Sequence, residues 1–160
     1  MAVNELPPAG RAIARAVAAL VGAAVTRDAD ALRAGCVALR DCDETAAFDV
    51  LARLTLGLVE RAFPDGLDAD DVRALFDEVA AGAAGWLTGL DPMAVLVVVA
   101  GTLSIHPPDD APRPSLDQDA LPVACALVVD HLLTRLGARL APELARAFDE
   151  LRTAQMMELP

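Results

Sequence analysis

Between Asp91-Pro92 and a proline-rich stretch lies MAVLVVVAGTL, eleven residues (93–103) without one ionisable side chain. Asp followed by Pro is an N-cap with proline at the first helical position. The run therefore reads as a helix over 92–104, although β-branched Val95–Val99 also suits a buried strand. A helix with no polar face has no side to offer water, so it is expected at the centre of a domain. The apolar run Met93–Ile105 is 13 residues long. A membrane span needs about 20, so this segment points to a core rather than a bilayer.

The rest of the chain carries the helical period. Helices are expected near 9–25, 28–40, 44–63, 68–90, 92–104, 118–137 and from Pro142 to about 155. Acidic residues open most of them: Asp28, Asp43, Asp68, Asp91 and Asp119 stand where a cap would accept backbone N–H groups. Breaks follow from Pro64-Asp65-Gly66 and Gly137. In the third helix Asp49 and Arg53 stand at i,i+4 spacing, which suits an ion pair. The fold class is thus all-α, a single-domain bundle of six to seven helices over 1–160 with helix 92–104 central. A Pro-rich loop, 104–118, separates an N-terminal five-helix part from a C-terminal helix pair. DADALRA at 28–34 echoes DADDVRA at 68–74, and DQDAL at 117–121 repeats the opening. Helical hairpins over 28–63, 68–105 and 117–155 would explain that echo. Acidic caps before aliphatic residues explain it as well, and seven residues do not establish a duplication.

Charge and chemistry exclude more than they specify. The 160 residues carry 13 Arg and Lys against 24 Asp and Glu, a net charge of -11. That balance opposes a nucleic-acid grip, which needs clustered cations. An acidic mimic of nucleic acid is conceivable on charge, but charge is weak support. All 13 basic residues are Arg, which removes Schiff-base chemistry. Three cysteines, Cys36, Cys42 and Cys125, form no disulfide framework or zinc spacing. Reduced thiols in a cytoplasmic protein are the economical expectation. Residues 11–25 have the apolar run of a leader, yet Arg11 and Arg15 fall at helical spacing, as on the wet face of a core helix.

No catalytic motif is present: no GxGxxG, no Walker A loop, no GxSxG, no HExxH. With Gly66 at position 6 of a calcium loop, positions 1, 3 and 12 would be Arg61, Phe63 and Val72, which cannot serve as the ligands. Cys125 and His131 lie six apart on one helix and point about 120° apart, so they share no metal. No catalytic residue, metal ligand or cofactor is assigned. The expected function is a non-catalytic helical protein–protein interaction or self-association module, working as a homodimer or with another protein, without nucleic acid or membrane. The alternative is a sensor or carrier for an apolar small molecule in an aliphatic pocket near Trp86. A Cys/His-dependent enzyme stands third. The candidate ligand or interface residues are Gly82, Gly85, Trp86 and Gly89, where small residues would admit a close helix or leave a groove. His106, at the opening of the Pro-rich loop, is the fifth.

Overall fold

A computed structural model describes residues 2–102 and 115–157. Among them the chain is helical throughout: a short 3₁₀ turn at Val3–Glu5, then α1 (Pro8–Thr26), α2 (Ala29–Arg40), α3 (Glu44–Ala62), α4 (Ala69–Ala84), α5 (Pro92–Thr102), α6 (Ala120–Leu136) and α7 (Leu140–Met157). The expected all-α bundle of six to seven helices forms, with seven α-helices among the described residues. Four of the five acidic starts act as caps; Asp119 makes no cap hydrogen bond, its carboxylate being taken by Arg40. Asp28 Oδ1 accepts the N–H groups of Asp30 and Ala31 at 3.0 and 2.9 Å. Asp43 accepts Ala46 N–H at 3.0 Å, and Asp91 accepts Met93 N–H at 2.9 Å. Asp68 and Asp71 cap each other's backbone across the first turn of α4.

α6 is the central helix, not α5. Its consecutive residues Ala124–Val129 are all buried, together with Leu132 and Leu133. It touches α1, α3 and α5 along its length, and α2 and α4 more lightly. α5 instead lies at the edge, packed on α6 and α4 through Ala94, Val95, Val98 and Val99. Its opposite side faces water, with Met93 45% and Leu96 38% exposed. Apolarity on every side identified a helix without a polar face but did not say which side the fold would cover.

The expected hairpins are met in part: α4 packs on α5 and α2 more lightly on α3, while the third, α6 with α7, does not form. The closest pair is α1 with α2, and α7 packs on α3 rather than on α6, from which it turns by 115°. α1 and α2 meet at Gly35, where a Cβ would stand 2.8 Å from Leu20 Cα. α1 is long and apolar enough to cross a membrane, and here Val17, Leu20 and Val21 are fully buried in the bundle.

α4 ends at Ala84, six residues before the expected Leu90. Glycine costs a helix about 1 kcal/mol relative to Ala, and Gly82 and Gly85 fall together at this end. Gly89 then takes φ +79°, a left-handed turn that suits glycine. α7 clasps α3 with charge as well as apolar contact. Arg146 lies over Gly57. It donates to Glu143 at 3.0 Å and to Glu150 at 3.2 Å. Glu143 also holds Arg61, and Glu150 holds Arg53. With Glu60 against Arg53 at 3.4 Å, three cations and three anions close one network.

Candidate functional site

The glycines singled out as points of close approach make none within the chain. A Cβ at Gly82, Gly85 or Gly89 would meet no atom within 4 Å. Trp86 is half-buried, and its Nε1 donates to Gly82 carbonyl oxygen at 3.0 Å. It anchors the turn after α4. Gly89 borders a cleft of about 320 Å³ between α2 and the start of α6, with Leu32, Cys36 and Asp117. His106 and the Pro-rich stretch as far as residue 114 lie outside the described residues.

One cleft, about 630 Å³, is lined by α7 alone apart from Arg53. It is the flank of one helix, and Arg53, Arg146 and Glu150 on it already pair with one another. A different cleft has walls on both sides. Phe48, Ala52 and Leu56 of α3 face Val97, Val98 and Gly101 of α5 across about 450 Å³. Leu121 and Cys125 of α6 form its floor. It continues past Phe48, Asp49 and Leu121 into a second chamber of about 360 Å³, reached by Leu39 and Arg40 of α2 and by Thr45 and Pro122. From Thr45 to Leu56 the groove follows α3 for about 16 Å at 1.5 Å per residue.

Local chemistry keeps the trough apolar. Thr55 is buried, and its hydroxyl donates to Leu51 carbonyl oxygen at 2.8 Å, so its polar group is satisfied within the helix. Gly101 supplies no side chain, and a Cβ there would enter open space. Burial pushes the Cys125 thiol up to about 12, against a smaller lowering by its hydrogen bond with Thr55. Burial likewise raises Cys36 to about 11, with Asp119 adding to the rise and Arg40 opposing it. Thiols held so far above neutrality are poor nucleophiles and poor metal ligands.

The rim is charged unevenly. Arg53 turns away from the Asp49 expected to pair with it and binds Glu150 and Glu60 on the far side. Arg40 binds Asp119 at the other end. Glu44 and Asp49 are exposed, and neither takes part in an ion pair among the described residues.

Elsewhere, His131 Nε2 lies 2.9 Å from Glu78 Oε2, a contact between α6 and α4 without hydrogen-bond geometry. Desolvation raises the neighbouring Asp130 carboxyl, opposed by Arg27 and His131. Among the described residues no three His, Cys, Asp or Glu side chains group as a metal site would require. Comparison with protein-family models, with curated proteins and with solved structures finds no match.

The groove residues escaped the sequence reading. Phe48 stood among the apolar residues of its helix and Gly101 inside an apolar run, and neither signals a gap between helices. The available signal was the excess itself: two helices apolar over most of their surface, more than one core side each can use.

Proposed function

We propose that the protein is a non-catalytic helical binding module and that the groove between α3 and α5 is its working surface. The exposed face of α5 carries this reading. Met93 and Leu96 stay in water on a helix that has no charged residue to present instead. Covering such surface is worth about 25 cal/mol per Å², and contiguous exposed apolar surface marks interaction sites. The partner is another protein rather than a second copy. Two copies meeting here would set Glu44 and Asp49 against themselves, on chains of net charge -11, and like charges across an interface disfavour association. The three free thiols fit a reducing compartment.

One observation favours a second reading. Chambers of about 450 and 360 Å³ fall in the size range of small-molecule sites, which suits a carrier of an apolar compound. The cavity supporting it lies between α3 and α5, away from the Trp86 region where it was expected.

Nile red titration with sedimentation velocity tests both readings. The expected result is a 16.6 kDa monomer with weak dye binding that Ala52→Trp removes and Val25→Ser retains. Dye binding indifferent to Ala52→Trp overturns the groove as the working surface. A dimer that shuts out the dye replaces the foreign partner by a second copy. Tight, single-site dye binding by the monomer favours the carrier.

A further inference from the structure

The two walls of the groove differ in charge. α5, PMAVLVVVAGT, contributes none. α3 contributes Glu44, Asp49 and Arg53. Both rim arginines are committed, Arg40 to Asp119 and Arg53 to Glu150, whereas Glu44 and Asp49 pair with no cation among the described residues. Asp49 borders both chambers. The trough is therefore apolar along its length and uncompensated in negative charge along one edge.

Its shape suits a helix. About three turns of α3 border it, and the two chambers meet past Phe48 and Leu121. Helices docked in grooves use anchors at i, i+3, i+4 and i+7, and an i to i+7 pair spans about 10.5 Å. Met93 and Leu96 add exposed apolar surface on α5 outside the clefts, which a single alkyl chain in the trough would leave uncovered.

Resting on the reading of the groove as a protein-docking surface, we infer that its occupant is a cationic amphipathic helix. The apolar stripe of that helix fills the trough, and its basic flank runs along Glu44 and Asp49. A basic flank supplies the charge the edge lacks. An acidic flank would meet repulsion from the rim and from the whole chain.

The test uses a fluorescein-labelled 18-residue peptide with Leu at i, i+3, i+4 and i+7 spacing and Lys elsewhere. A companion carries Glu in place of every Lys. Anisotropy is read against the full chain at 0.15 M salt, about physiological ionic strength. The Lys peptide is expected to bind one site, and the Glu peptide at least about tenfold more weakly. Asp49→Asn weakens the Lys peptide about threefold, while Asp77→Asn, on the exposed face of α4, leaves it unchanged. Ala52→Trp or Gly101→Leu, filling the groove from opposite walls, abolishes binding. If the Glu peptide binds as well as the Lys peptide, the cationic partner is overturned and the groove survives. If neither peptide binds while Nile red still does, the helical partner is overturned. If Lys-peptide binding ignores both filling variants, it is attraction to a negatively charged surface, and both readings fall.

Discussion

Gly35 and Gly82 are both helical glycines, yet their surroundings give substitution opposite signs. An alanine at Gly35 places its Cβ 2.8 Å from Leu20 Cα, which is backbone and cannot swing aside. Overpacking costs about 1–3 kcal/mol, against a helix-propensity gain of about 1 kcal/mol. Gly35→Ala is expected to lower unfolding stability, and Gly82→Ala, with nothing within 4 Å, to raise it by about 0.5–1 kcal/mol. Urea unfolding of both variants checks the pair, and a Gly35→Ala chain more stable than the parent refutes the tight crossing. In sequence both glycines read only as a loss of propensity, because the partner atom belongs to another helix. The caps were legible for the opposite reason. Asp28, Asp43 and Asp68 act on N–H groups two or three residues away, inside the window where local sequence is informative. The thiols carry a pH prediction. Cys36 and Cys125, raised to about 11 and 12, hold their protons in the folded chain. An unfolded thiol releases its proton near its ordinary value of about 8.5. Above that value the unfolded state binds fewer protons, so stability falls as pH rises from about 9 towards 11–12. Cys125→Ala should flatten part of this slope, and melting curves between pH 8 and 10.5 measure it.

At the scale of helices, the period of the apolar residues located all seven, whereas their placement needed the fold. α6 and α5 are both rich in aliphatic residues. α6 became central because Ala124, Ala126 and the residues beside them are small enough to admit α1, α3 and α5 together. No feature of α5's own sequence separates a covered helix from an edge helix awaiting a partner. Arg146 and Glu150 fall on the polar face of α7, which suggested solvent. They turn instead onto Gly57 and Arg53 of α3, because a polar face opposite a matching polar face is as well satisfied as one in water. Glu143 is the keystone of this contact at 8% exposure, bound by Arg61 and by both Nε and Nη2 of Arg146. Removing it leaves two guanidinium groups short of an acceptor. Glu143→Ala should cost about 1–3 kcal/mol. Glu60→Ala, at a half-exposed pair 3.4 Å long, should cost no more than about 0.5 kcal/mol. Guanidinium unfolding would screen these pairs, so urea is the denaturant to use. Equal costs would refute the ranking.

Across the whole molecule, two electrostatic effects compete. The α3–α7 network is attractive and made of groups in contact, and salt weakens contact pairs only in part when they are half-buried. Against it stand 24 acidic residues and 13 basic ones, a surplus of 11 negative charges spread over the surface of one small bundle. Such a surplus repels itself and destabilises the compact state. The repulsion acts over distances longer than a contact, so it is the part that salt removes first. The Debye length falls from about 30 Å at 0.01 M to about 8 Å at 0.15 M, a change that spans the separations between surface charges but not those within ion pairs. Thermal stability at pH 7 is therefore expected to rise with sodium chloride over this range and then to level off. The Glu143→Ala chain should follow the same rise, because the surplus and not the network sets the slope. Melting temperatures at four salt concentrations, for parent and variant, make the comparison. A steady fall with salt would mean that contact pairs dominate. A rise confined to the parent would mean that the network gains from salt, which screening forbids. Among the described residues Glu44 and Asp49 have no ion-pair partner, so the field that salt relieves in the free chain is the one a basic partner would meet first.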